Sequence, residues 1–386
     1  MKKIILFYIC FLFSYSYGNT QITIHTVQVE RFQELMKYLE GKAGGRLICK
    51  YATNNTELQA AFDKNVSDVK LKTLIDSLLN VDVYMPEIVG NVRTKWKEAK
   101  GKEAYRVAFT ILPDFCIDMS AGMPQRWIDY WNSEDRQRID SALAELKVNE
   151  NKIIENAKVA CEALLPADAD MSANIEIYIF LDGNMDGFQV GNTITIDAPD
   201  ILLPAFIYIL EHEIHHAYYN KWFAEKTLNK ERNEVESFLY QYQRRFIVEG
   251  IAQRLDYDAY GSEHKQMYAN KELLTELFDE WIMLFRELKG NSPQTVISMY
   301  QENEYEKSIE RGEKYYPGKK NYRPLAIYLL SYHIYNSIFE SAGQKKLMYV
   351  IENPGKLLSV YNELHTDSMI IPRIPDDVVT QWEENF

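Results

Sequence analysis

The sequence predicts an α+β protein dominated by helix, with one small sheet between two helical stretches. Three observations carry this. Apolar residues recur at three- and four-residue spacing over most of the chain, the period of an amphipathic helix. Strand-like alternation appears in two short runs, Ile175 to Leu181 and Thr193 to Ile196. Hydrophobic residues are 46% of 386 and charged residues 26%, so the chain can bury a large core without staples.

The first twenty residues stand apart. Lys2 and Lys3 precede the apolar run Ile4 to Phe13, and Ser14-Tyr15-Ser16-Tyr17-Gly18 follows. This is the pattern of a secretory signal peptide over residues 1–18, cut after Gly18. The run is too short to span a bilayer as a stable helix. No later segment is long and apolar enough, so no stable membrane insertion is expected. Tyr8 and Ile9 are not the small residues that a lipoprotein cut before Cys10 needs. The expected location is secreted or periplasmic, in the cell envelope. Net charge is −13, which argues against nucleic acid and anionic lipid as partners. Oligomeric state is not legible.

Residues 19–165 read as a helical N-terminal region. Val29 to Leu39, Thr56 to Phe62, Leu71 to Leu79 and Glu134 to Leu164 carry the helical period. Breaks fall at Gly41 to Gly45, Pro86, Pro113 and Pro124. The three cysteines beyond the leader, Cys49, Cys116 and Cys161, leave two states open: one bridge with a buried free thiol, or three free thiols. No CxxC pair supports a thiolate metal site.

Residues 166–386 read as the second region. The two strands come first, joined through Asp182-Gly183-Asn184-Met185-Asp186-Gly187. That turn matches the first half of a calcium-binding EF-hand loop, but its twelfth position is Thr193, where calcium needs a bidentate acid. A plain turn is expected. A long apolar helix then runs from Ile201 to about Phe223, with Pro204 in its first turn. Another covers about Asn233 to Asp256, and a third Arg323 to Ser341.

Chemistry gathers at Glu211-His212-Glu213-Ile214-His215-His216, which contains HExxH. On a helix, residues four apart share a face, about 6 Å apart at Cβ. His212 and His216 can therefore converge on one tetrahedral ion. Glu213, turned by about 100°, sits beside the metal without having to ligate it. Metal-assisted hydrolysis requires this set: an ion that acidifies water, and a carboxylate that takes the proton. With only 7 histidines, the motif would arise by chance on the order of once in a hundred such chains. His215 points off the ligand face and reads as a packing residue, and Glu211 as structural.

A catalytic zinc site has three protein ligands and one open position. Glu249 is the candidate third ligand. It interrupts the apolar run Phe246-Ile247-Val248, where a carboxylate is costly unless paired or metal-bound. Gly250 and Ala252 beside it permit a close helix approach. Glu236, Asp256, Asp258 and His264 are rivals. His25, the sole histidine upstream of the motif, is a weaker candidate for a zinc-blocking ligand.

HExxH followed on a second helix by a glutamate ligand resembles the gluzincin branch of the zincin metallopeptidases. Glu249 with Ala252 resembles the ExxA form of the second motif. The layout, with HEIHHAYY then VEGIA, is similar to a family described only as zinc-dependent peptidases of unknown function. The resemblance implies a zincin-like catalytic core with its small sheet beside the active-site helix. It also implies zinc as cofactor, and an edge strand, here Asn192 to Ile196, that pairs with extended peptide or protein substrate. Many gluzincins place an aspartate four residues after the glutamate ligand, whereas this chain has Gln253, and Asp256 is the replacement considered. Gluzincins also use a downstream Tyr or His to donate to the oxyanion. Tyr322 is the expected donor, ahead of Tyr316, Tyr332 and His333.

The reading is a secreted zinc peptidase of the HExxH type, with Glu213 and Tyr322 catalytic and His212, His216 and Glu249 on the metal. Two alternatives stand beside it: a non-catalytic zincin-fold binding protein, and a metal-dependent hydrolase of a non-peptide substrate. A di-iron carboxylate site would need a second ExxH, and the chain has none.

Overall fold

The computed structural model is mostly helical, with one small sheet among the described residues. It describes residues 21–80, 96–99, 101–119, 123–180, 187–202, 206–227, 231–257, 262–288, 307–308, 310–316 and 325–386. Two compact units divide the chain: Met1–Ile154 with Asp170–Leu203, and Glu155–Ala169 with Pro204–Phe386.

The first unit holds the sheet. Its strands are β1 (Ile22–His25), β2 (Ile175–Phe180), β3 (Gly187–Val190) and β4 (Thr193–Asp197), in the order β1-β2-β4-β3. β2 pairs in parallel with β1 and β4, and β3 closes antiparallel on β4, so the strand expected at the edge, Asn192 to Ile196, is instead covered on both sides as β4. Ile175, Ile177, Ile179, Ile194 and Ile196 are buried, while Glu176, Tyr178, Thr193 and Thr195 are half-buried. This is the two-residue alternation read from the sequence. Gly191 has φ of 58° in the two-residue turn between β3 and β4, a backbone that favours glycine. β1 lies in the region expected to be all helix. Four residues are too few to declare a period. The strand exists because Ile22 pairs with Ile175, far along the chain.

The helices of this unit are α1 (Val27–Lys42), α2 (Asn55–Asn65), α3 (Val69–Leu79), α4 (Lys102–Ile111), α5 (Met123–Asn132) and most of α6 (Asp135–Glu162). Asn54 and Asp68 cap α2 and α3 by accepting from first-turn amides, as short polar side chains do at helix starts. Phe109 stacks on Trp127 at 4.3 Å, and Tyr105 meets both Trp127 and Phe180. Of the two cysteine states left open, the structure has the first. Cys49 and Cys116 form a disulfide with Cα atoms 5.3 Å apart, and Cys161 is a buried free thiol. Closing a loop of 67 residues removes about 4 kcal/mol of unfolded-chain entropy in the chain-entropy picture.

The second unit is helical: α7 (Phe206–Thr227), α8 (Glu234–Asp256), α9 (Ser262–Tyr268), α10 (Lys271–Leu288), α11 (Ala326–Glu352), α12 (Leu357–Leu364) and α13 (Asp376–Glu384). The helix expected from Ile201 begins at Phe206, after a 3-10 turn over Ala198–Leu202. α8 starts at a capping box, with Asn233 and Glu236 exchanging side-chain and backbone bonds. α7 crosses α8 antiparallel: His216 faces Glu249, and Asn220 accepts from Arg244 at 2.8 Å. α11 runs parallel to α8, matching Gly250 to Ser331 and Arg254 to Asn336. Below α8, Phe246 stacks on Trp281, and both meet Trp382. Among the described residues no helix is long and apolar enough to cross a membrane.

Candidate metal centre

His212, Glu213 and His216 lie within α7, and helix geometry alone aligns the two imidazoles. Their rings meet edge to face with centroids 4.4 Å apart. Glu249 enters from α8. One carboxylate oxygen, Oε2, lies 3.4 Å from Nε2 of His212 and 3.3 Å from Nε2 of His216. The three donor atoms all fall within 4.8 Å of one another. Donors bound to zinc at about 2.05 Å with tetrahedral angles are about 3.3 Å apart. Two edges of this triangle therefore already have the length that a zinc ion imposes. Two imidazoles and a carboxylate are also the donor set of a catalytic zinc, so the residues fit the ion.

The electrostatics agree. Burial pushes the Glu249 carboxyl up, but His216 and His212 outweigh it and hold it below the usual carboxylate range. An ionised carboxylate beside two imidazoles is a ready cation site.

His215 and Glu211 face elsewhere. His215 is fully buried, stacks on Tyr219, and shares a hydrogen bond with the Leu164 carbonyl at 3.2 Å. Burial pushes its pKa down to about 3, so it is a neutral packing residue. The backbone carbonyl of Glu211 accepts from the Cys161 thiol, and burial pushes that thiol well up, which makes it a poor nucleophile.

Of the rival ligands, Glu236 is spent in the capping box of α8. Asp258 and the side chains of Asp256 and His264 lie outside the described residues. His25 pairs with Glu176 and stacks on Tyr178 at 4.5 Å. Gln253, where many gluzincins carry aspartate, accepts from the Tyr268 hydroxyl. Gly250 serves another contact than the one expected. A Cβ there would stand 2.6 Å from that of Ser331 and 2.8 Å from Tyr335 Cδ2. The small residue thus admits α11, not α7.

Tyr322, the expected oxyanion donor, lies outside the described residues, as do residues 181–186 of the calcium-like turn. Tyr332 packs with Tyr257 and Tyr268, and His333 shares a 2.6 Å hydrogen bond with the Tyr268 carbonyl. The structure instead brings Tyr328, on α11, to the site. The charge of Glu249 raises its hydroxyl pKa most, burial adds to this, and Glu213 contributes. Arg245 opposes the rise and hydrogen-bonds the hydroxyl. Neither residue stands out in the sequence. Arg245 was within reach, one turn before Glu249 on the same face, but an arginine on a helix reads first as a solvated charge. Tyr328 is one of 27 tyrosines, and only the packing of α11 on α8 sets it apart.

Residues 93–367 match the model of a protein family described as "Putative zinc dependent peptidase (DUF5700)". The chain belongs to that family. The match takes in all four of His212, Glu213, His216 and Glu249. The zinc dependence in the family's description agrees with the donor set on α7 and α8. Arg245 and Tyr328 also fall within the matched residues. No curated protein and no solved structure matches the chain.

Proposed function

We propose that this chain is a secreted zinc peptidase of the HExxH, gluzincin-like type, acting on peptide or protein substrates. One observation carries the reading: His212, His216 and Glu249 converge on one point, with Glu213 on the adjoining helix position. Bound zinc would supply Lewis acidity for the substrate carbonyl and acidify the attacking water.

The chain's own residues supply the rest. Glu213 is buried and in the field of the same tyrosine as Glu249. It takes a proton from the water and passes it to the leaving amine. Tyr328 offers an O–H donor on the third helix of the site, suited to the developing oxyanion. Tyr322 is the second candidate for that role. Secretion is supported by the leader-like start and by the Cys49–Cys116 disulfide, a bond that persists in oxidising compartments.

Two measurements test this. Zinc-loaded protein should cleave an unstructured protein, lose activity to a chelator and regain it with zinc. If metal binds and no peptide bond is cut, the non-catalytic or non-peptide alternative replaces the peptidase. For secretion, N-terminal sequencing of the exported chain should begin at Asn19. Without reductant, the unfolded chain should show one reactive thiol, from Cys161. A retained Met1, or three thiols, removes the secretory reading.

A further inference from the structure

From Gln241 to Gln253, α8 is exposed only at Gln241 and Arg245. From Phe246 to Gln253 every residue is buried except Glu249. Gln241, Arg245 and Glu249 form a four-residue repeat, one face of the helix. Accessibility rises along that face away from the metal centre. The Glu249 side chain is 15% exposed, whereas Arg245 and Gln241 are exposed outright. On α8, Arg245 is thus the exposed residue one turn from the Glu249 carboxylate.

Arg245 hydrogen-bonds the hydroxyl of Tyr328, a phenol that also feels the charges of Glu249 and Glu213. The charge balance then has a direction. Ligating imidazoles are neutral, so Glu213 and Glu249 bring two negative charges and a divalent cation cancels both. Among these groups Arg245 is then the positive charge left over. A guanidinium presents a planar fork of donors that matches a carboxylate.

We propose that Arg245 anchors a carboxylate of the substrate beside the reacting bond. The carboxylate is either the substrate's own C-terminus or an Asp or Glu side chain next to the cleavage point. The inference rests on the peptidase reading for its substrate, and its test is a binding measurement that does not depend on turnover.

Zinc-loaded Glu213→Gln protein is titrated calorimetrically with three short peptides of otherwise identical sequence. One has a free C-terminus, one is amidated, and one is amidated with a glutamate at its centre. At least one carboxylate peptide should bind roughly ten-fold or more tightly than the neutral amide, as charge-assisted paired hydrogen bonds allow. Preference for the free terminus indicates an exopeptidase site, and preference for the internal glutamate an endopeptidase site. Adding Arg245→Gln should abolish the preference with zinc content unchanged. Arg245→Lys, which keeps the charge without the fork, should retain part of it. Equal binding of all three peptides, no binding of any, or a preference that survives Arg245→Gln overturns the anchor. Preference without cleavage by the wild-type chain keeps the anchor and sinks the peptidase. Cleavage without preference does the reverse.

Discussion

The carboxylate of Glu249 lies 3.3 Å from Nε2 of His216, across the antiparallel pair of α7 and α8. Neither helix holds a metal site alone, and the meeting of the two defines one. Glu249→Ala should therefore weaken zinc affinity by more than the roughly ten-fold cost usual for an outer partner of a ligand. Competition with a chromogenic chelator measures this directly. Wild-type affinity in the variant would place the third ligand elsewhere and remove the gluzincin-like assignment.

The next prediction concerns what holds Glu249 in place. Gly250→Ala puts a Cβ 2.6 Å from that of Ser331, between helices that cannot both stay where they are. Overpacking of this kind costs about 1–3 kcal/mol. The variant should unfold at lower denaturant, and Ser331→Gly in the same chain should recover part of the loss. Unchanged stability of Gly250→Ala would mean that α8 and α11 do not approach this closely.

How much of this was legible follows from the range of each interaction. HExxH is local: its two imidazoles align by helix geometry alone, so residue order was enough. Glu249 was legible because a carboxylate amid Phe246, Ile247 and Val248 needs a reason. β1 was not, since its partner Ile175 lies in another part of the chain. Tyr328 was hidden for the same cause, its place being set by the parallel packing of α11 on α8. The role of Gly250 was half legible: its size announced a close helix, but not which one.

A pH dependence follows from His333. Burial lowers its pKa from 6.5 to about 4, against a hydrogen bond to the Tyr268 carbonyl that raises it. Below pH 6.5 the unfolded chain takes up a proton that the folded chain refuses. Stability contributed by the neutral ring is therefore present above 6.5 and lost as pH falls from 6.5 toward 4. One proton accounts for a slope of up to about 1.4 kcal/mol per pH unit. His333→Gln, which can still donate to the carbonyl, should show a flatter decline over that window in denaturant titrations. Identical slopes would show that His333 titrates normally in the folded chain.

The last prediction separates metal binding from chemistry. Glu213 stands next to His212 in α7, yet it is His212, His216 and Glu249 whose donor atoms cluster. Its expected work is proton transfer, so Glu213→Gln keeps the size and one acceptor oxygen but cannot carry the proton. Zinc affinity should stay near wild type while peptide cleavage falls by roughly 10² or more, the usual scale of general acid–base help. His212→Ala should lose both metal and activity. Tyr328→Phe removes only an O–H donor. If that donor serves the oxyanion, kcat should fall by roughly 10²–10³ with KM little changed, as when one such donor is deleted elsewhere. Tyr322→Phe, measured beside it, decides between the two tyrosines. The pattern across the four variants carries the mechanism. Full metal with no activity is expected for Glu213→Gln, and neither for His212→Ala. A selective loss of kcat is expected for one tyrosine and not the other. Wild-type cleavage by Glu213→Gln would leave the HExxH helix as a metal site whose neighbouring carboxylate takes no part in the reaction.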